Sequence, residues 1–203
     1  TEHALSYVPW PADGPKIGPM SEETVRRVAA RVYGHPDVFD PAFTYDPPEL
    51  KVMPARFHSY RGMIVGSLVL CDYENTRVFS TASEDGAADT AKMAKLFSAC
   101  TGQEMGEKEL DLAGERIWNQ LRALDVRNFH RNRAIDESTL DGFAYPDAID
   151  GIVMDRKEML RLLDTYYQMS GWDPTTGWPT RAKLEELGIG DVASALEHLG
   201  RSG

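Results

Sequence analysis

An all-α fold, an irregular multi-helix bundle, is what this 203-residue sequence predicts. Several stretches repeat apolar residues at the 3.6-residue period of a helix buried along one face. No strand-like alternation is interleaved with them, as a parallel α/β chain would require, and no internal repeat is visible. Capping and stop residues stand where the periodic stretches begin and end.

The first helix is expected over residues 21–33. Ser21 suits the N-cap, Glu22 and Glu23 suit the positive helix end, and Val25, Val28, Ala29 and Val32 share a face before Gly34 and Pro36 stop the pattern. From His35 to Pro54, prolines, aromatics and the turn-forming Asp37, Asp40 and Asp46 predict an irregular connection. Arg56 to Leu70 then reads as a helix whose end, with Met63, Ile64, Val65, Leu68, Val69 and Leu70, is buried nearly all round. Asp89 to Cys100 is a third helix, packed through Met93, Leu96 and Phe97 with Ala94 to the side and stopped by Thr101 and Gly102. Glu107 to Leu124 has the clearest period, through Leu110, Ala113, Gly114, Ile117, Trp118, Leu121 and Leu124. Asp155 to Met169 repeats it with Met159, Leu162, Leu163, Tyr166 and Tyr167. Two short helices follow, Arg181 to Leu187 and Asp191 to Leu199, the second with Val192, Ala195, Leu196 and Leu199 on one face. Any hairpin would be small, at Gly151–Val153 or near Val78 and Phe79. Residues 1–20, with Pro9, Pro11, Pro15 and Pro19 and a first residue Thr1, predict an irregular lead-in from a longer protein, ahead of one helical region over 21–203.

Thirty-two acidic against 22 basic residues give a formal charge of −10, which repels nucleic-acid backbones and disfavours that class of partner. The apolar run from Gly62 to Cys71 is too short to span a bilayer, so a membrane partner is not expected. Two cysteines, Cys71 and Cys100, do not make a secreted disulfide framework, and a cytoplasmic location is expected. Walker A, GxGxxG, GxSxG and HExxH signatures are absent. The histidines His3, His35, His58, His130 and His198 match no zinc spacing and read as surface or packing residues. The charged run Arg122, Asp125, Arg127, His130, Arg131, Arg133, Asp136 and Glu137 reads as a solvated helix end with a capping network. Its arginine forks would alternatively suit phosphate or carboxylate groups. Cys71 ends the most apolar segment, where a cysteine is either a small core residue or a metal ligand. A thiol enzyme built on it is disfavoured, because no histidine is near in sequence and apolar neighbours raise a thiol pKa.

The string Ser67-Leu68-Val69-Leu70-Cys71-Asp72 occurs with Gly114-Glu115-Arg116-Ile117-Trp118-Asn119, Val126-Arg127, Tyr166-Tyr167, Gly171-Trp172-Asp173, Gly177-Trp178-Pro179-Thr180-Arg181 and Lys183-Leu184-Glu185-Glu186-Leu187-Gly188. In this order and spacing the set resembles the C-terminal part of the tungstopterin aldehyde ferredoxin oxidoreductase family, over roughly residues 34–199. The resemblance implies the all-α C-terminal domains of that type. It makes Cys71 the last of four ligands to a four-iron four-sulfur (4Fe-4S) cluster, the other three coming from a CxxCxxxC run far upstream. It makes Ser67, Leu70 and Asp72 cofactor-binding candidates and implies a tungsten or molybdenum bis-pterin in the intact enzyme. The family's Asp five residues before the cysteine and Gly two before it, which help to bind the pterin, are here Gly66 and Val69. Cys100 reads as a small structural residue.

The activity so implied is oxidation of aldehydes to carboxylic acids with ferredoxin as acceptor, related members reducing aromatic thioesters instead. No residue of this chain is expected to be catalytic itself. Its partners would be a pterin-binding N-terminal region or subunit, a ferredoxin or other redox protein, and, as an open possibility, a second copy. The chain alone is expected to bind no cofactor, since a cluster needs four ligands. The competing reading is a metal-free helical module that kept the fold and lost the chemistry, favoured by Gly66 and Val69.

Overall fold

A computed structural model describes residues 20–39, 46–75, 77–80, 82–144, 153 and 155–201. Nine α-helices are found among them: α1 Glu22–Tyr33, α2 Glu49–Ser67, α3 Asp72–Asn75, α4 Lys92–Thr101, α5 Glu107–Phe129, α6 Arg133–Thr139, α7 Arg156–Ser170, α8 Arg181–Glu186 and α9 Gly190–Glu197. Short 3-10 turns cover Pro36–Phe39 and Leu140–Ala144. The only extended pairing among the described residues is two isolated antiparallel bridges, Phe79 with Ala87 and Trp172 with Pro179. The all-α expectation holds, and the hairpin expected near Val78 and Phe79 is reduced to a single bridge. The other expected hairpin position, at Gly151 and Ile152, and the lead-in up to Pro19 lie outside the described residues. No helix among them is long and apolar enough to cross a membrane.

The chain divides into two compact units, Thr1–Thr44 with Met53–Glu115, and Tyr45–Val52 with Arg116–Gly203. In the first unit α1 forms as its caps dictate. The Ser21 hydroxyl accepts from the Thr24 amide at 3.2 Å, and Gly34 turns left-handed at φ 87° to close the helix. α2 begins earlier than the sequence predicts and ends earlier too, at Ser67 instead of Leu70. Pro54, expected to belong to the irregular connection, is inside the helix, where its fully buried ring offsets the backbone bond it cannot donate. The core of this unit joins Ile64 and Val65 of α2, Met93 and Ala94 of α4 and Leu110 of α5. Ala94 thus faces inward and Leu96, expected in the core, is 40% exposed. α4 starts at Lys92, three residues after the expected Asp89, whose carboxylate instead accepts from the Ala91 amide at 3.1 Å in the preceding turn.

Two polar groups are buried beside this core. Arg61 is held by Glu107 at 2.7 Å, by Asp111 at 2.6 Å and by the Thr90 carbonyl, so its charge is compensated where water is excluded. His58 is 4% exposed and its Nε2 lies 2.6 Å from the Tyr33 hydroxyl, inside edge-to-face contacts of Tyr33 with Phe39 and Phe57. Burial, reinforced by the Arg61 charge, lowers the His58 pKa to about 4, and burial raises that of Tyr33. An unfolded histidine, with a pKa of about 6.5, takes up a proton that the folded one refuses. Stability is therefore complete above about pH 6.5 and lost as pH falls toward the folded value. The expected loss between pH 7 and pH 5 is about 2 kcal/mol in urea unfolding, and His58→Gln should flatten that slope. An unchanged slope in the variant would place the linkage elsewhere.

In the second unit the core gathers Ala123 and Val126 of α5, Leu184, Leu187 and Ile189 around α8, and Ala193 and Leu196 of α9, with Trp178 and Val192 packed against it. Here the expected stripe is out of phase: Leu121 and Leu124 are 40% and 46% exposed. The inner face of α5 carries polar residues with dedicated partners instead. Asn119 accepts from the Trp172 indole at 2.8 Å, and Arg122 pairs with Asp136. On α9 the face is likewise shifted, with Ala195 exposed and Leu199, at 51% exposure, beyond the helix end. α7 is capped by the Asp155 carboxylate, which accepts from Lys157 and Glu158 amides, and closed by Gly171 at φ 69°.

The charged run from Arg122 is not the solvated helix end that the sequence predicts. Arg122 donates to the Gly177 carbonyl at 2.9 Å and to both Asp136 oxygens, and Tyr167 and Arg131 donate to the same carboxylate. Both partners of the central pair are buried, at 4% and 8% side-chain exposure. Gly177 is left-handed at φ 72°, and a Cβ there would stand 2.7 Å from the Arg122 guanidinium and 2.8 Å from the Tyr167 hydroxyl, so the backbone approaches this pair as only glycine allows.

Candidate functional site

The segment that the sequence singles out is the exit from α2. After Ser67 the chain makes a terminal turn in which the Leu68 amide donates to Ile64 at 2.9 Å and the Leu70 amide reaches back to Val65 at 3.0 Å. A closure of this kind needs a left-handed residue just past the helix, usually glycine. Here that residue is Val69, at φ 54°. Leu68 and Leu70 are half-buried against the core of Ile64, Val65, Met93, Ala94 and Leu110, which pins the turn on both sides. Val69 between them is 91% exposed.

Ser67, Cys71 and Asp72 are exposed on the same short stretch, and Leu70 is the half-buried anchor. The Cys71 carbonyl receives the Asn75 amide at 3.2 Å and the Asn75 side chain at 2.8 Å, which starts α3. The thiol of Cys71 faces solvent, a correction to the buried helix end expected from its apolar neighbours. The reason is that the helix has already ended: the turn sends Leu68 and Leu70 inward and leaves Val69 and Cys71 out. Cys100 is also exposed, so it is not the packed small residue expected; Met93 and Ala94 in the first turn of α4 do the packing, and Cys100 lies in the last.

Chemically, the segment presents one soft ligand on a pinned turn. Among the described residues no group of three or more histidine, cysteine, aspartate or glutamate side chains is placed to hold a metal. What is present fits one corner of an iron–sulfur cluster whose other ligands come from elsewhere. A pterin contact through a carboxylate does not fit, because Gly66 has no side chain, although a Cβ there would meet nothing within 4 Å. The left-handed Val69 has one signal in the sequence, a helix end with no glycine at the expected stop.

The family model described as aldehyde ferredoxin oxidoreductase, domains 2 & 3, matches residues 11–189. The chain belongs to the aldehyde ferredoxin oxidoreductase family. Among solved structures, the chain is similar to the active site complex BamBC of benzoyl coenzyme A reductase in complex with 1,5 dienoyl-CoA, with a TM-score of 0.62 and 20% sequence identity. The match covers 86% of this chain and 27% of that one, so the protein spans about a quarter of its structural neighbour. At that identity the similarity is one of fold. An aldehyde ferredoxin oxidoreductase described by domains 2 and 3 implies a further, N-terminal domain in the family.

Proposed function

We propose that this chain is the C-terminal part of a tungsten and pterin, iron–sulfur oxidoreductase that oxidises aldehydes to carboxylic acids with ferredoxin as electron acceptor. Cys71 supplies one thiolate to a 4Fe-4S cluster, and the remaining ligands and the pterin site belong to the N-terminal region or a partner subunit. The observation that carries this reading is the exposed thiol on a turn fixed by Leu68 and Leu70, in a chain of this family. The bound metal centres supply the redox chemistry; this chain positions its ligand and excludes water from one side. Ser67 and Asp72 lie on the same exposed stretch as the thiol, and Leu70 anchors the turn on the core. A reducing, cytoplasmic setting belongs to the same reading, since the ligand must stay a thiol until the cluster arrives.

In the complete enzyme, Cys71→Ser is expected to remove most of the cluster iron and ferredoxin reduction while helical circular dichroism is unchanged, because a hydroxyl binds iron poorly at neutral pH. Cys100→Ser should leave iron content as it is. Full iron and activity in the Cys71 variant would overturn the ligand role. Elemental analysis of the 203-residue chain alone should return no stoichiometric tungsten, molybdenum or iron, and about two irons per chain would overturn that and mean that two copies share one cluster.

A second reading, a helical module without metal, is favoured by Gly66 and Val69 at the positions that resemble the family's pterin contacts. A complete protein that carries neither iron nor tungsten in its wild-type form would support it. The neighbour's name makes an aromatic thioester the substrate to assay beside aldehydes.

A further inference from the structure

We propose that Tyr167 is a radical site of the second unit: a one-electron hole that enters at the stacked indoles of Trp118 and Trp172 comes to rest on the Tyr167 ring, while the phenolic proton passes to the Asp136 carboxylate. The proposal is independent of the ligand role given to Cys71.

The aromatic side chains of this unit form a connected set. Trp118 lies over Trp172 with ring centroids 6.4 Å apart, and Trp172 meets Tyr166 at 5.8 Å and Tyr167 at 5.9 Å. Rings at these separations are direct neighbours, and an electron passes between them without a bridge. Where the hole stops is decided by where a proton can go, because an oxidised indole or phenol is a strong acid and is stabilised by losing its proton. The indoles have no outlet. The Trp172 N–H donates to the Asn119 amide oxygen at 2.8 Å, a very weak base, and the buried Trp118 Nε1 has no hydrogen-bond acceptor among the described residues. A hole on either ring therefore stays a cation. The Arg122 guanidinium, 4.8 Å from the Trp172 centroid, opposes it, since the charge that is drawn to the face of a neutral ring repels an oxidised one.

Tyr167 has the outlet. Its hydroxyl donates to Asp136 Oδ2 at 2.5 Å, and the residue is 1% exposed, so the proton enters a carboxylate without crossing solvent. One electron moves from the Tyr167 ring to the oxidised indole, which returns to its neutral form. The O–H bond breaks, Asp136 gains the proton, and a neutral phenoxyl radical remains. Burial works against the Asp136 charge and the hydrogen bonds from Arg122, Tyr167 and Arg131 work for it, leaving its pKa lowered; an oxidised phenol is more acidic still, so the proton moves. Arg122 then keeps the Gly177 carbonyl at 2.9 Å and Arg131 keeps Asp125 at 2.9 Å. The oxidant is a small one-electron radical, which meets the half-buried Trp118 before Trp172 at 4% exposure. The gain is chemical: indole radicals add oxygen irreversibly, whereas a buried phenoxyl persists until a one-electron donor such as a small thiol returns the electron and Asp136 the proton.

The test is pulse radiolysis of the 203-residue chain in azide solution, in a Trp10→Phe background that leaves every tryptophan in the second unit. The azide radical oxidises indoles in preference to phenols. The indole-radical absorbance is expected to decay as the phenoxyl absorbance grows, at a rate independent of protein concentration and slower in heavy water. Tyr167→Phe should remove most of that growth and prolong the indole radical several-fold, while Tyr166→Phe, at an equal distance from Trp172, should change neither. Growth that survives in Tyr167→Phe would overturn the proposal. Should that variant fail to fold, the other two arms decide: loss of the growth in Tyr166→Phe would move the radical there, and an equal rate in heavy water would show that no proton moves with the electron, either of which overturns the assignment.

Discussion

Asp136→Ala is expected to destabilise the second unit by about 3–5 kcal/mol, the cost of leaving a buried charge without its partner. Arg122 is 4% exposed at its side chain and would keep only the Gly177 carbonyl at 2.9 Å, while Tyr167 would lose the acceptor of its hydroxyl. Arg131, 42% exposed, can turn to water and to Asp125 at 2.9 Å, so its share of the loss is small. Burial pushes the Asp136 carboxyl upward, but hydrogen bonds from Arg122, Tyr167 and Arg131 outweigh it and leave the pKa below the usual carboxylate value. The stabilisation is therefore present above that usual value and is lost as pH falls through the lowered one. Urea unfolding at pH 7 and below pH 4 checks both statements. A change under about 1 kcal/mol at pH 7 would show that water reaches the guanidinium once the carboxylate is gone.

Gly114→Ala is expected to cost the first unit about 3 kcal/mol. A Cβ on residue 114 would lie 2.5 Å from the Tyr60 carbonyl oxygen and 3.0 Å from Ile64 Cδ1. The nearer atom belongs to the backbone of α2, so relief requires α2 and α5 to separate, and Ile64, at 2% exposure, would lose part of its packing. Alanine's better helix propensity returns at most about 1 kcal/mol. Thermal unfolding of the single variant measures the balance, and a melting temperature equal to wild type would mean that the helices part without penalty.

Local signals were legible where the structure is decided locally. Ser21 and Gly34 bound α1 because a cap is a contact within four residues. The periodic stretches gave the all-α class and the number of long helices. The phase of α5 was not legible, because periodicity treats Leu121 and Leu124 as core and cannot weigh Arg122, whose acid partner is fourteen residues away on α6. Pro54 reads from the sequence as the end of an irregular connection because its burial is a tertiary fact. The candidate segment is legible only through its resemblance to a family, whose model matches residues 11–189. Its geometry is not, since an apolar run ending in Cys71 looks like a buried helix end until one knows that Val69 reverses the backbone.

The stacked indoles give the molecule a built-in optical division. Trp118 lies over Trp172 at 6.4 Å with planes 18° apart, Trp172 donates to Asn119, and the Trp178 indole donates to the Arg131 carbonyl at 2.9 Å. All three belong to the second unit, and the remaining tryptophan of the sequence is Trp10. With Trp10 replaced by Phe, tryptophan emission is thus a private channel for the unit that holds Asp136, with the stacked pair as a short-range quenching reporter. Far-ultraviolet ellipticity sums both units, so a denaturation curve that moves in ellipticity before it moves in fluorescence would resolve the melting of the first unit from that of the second.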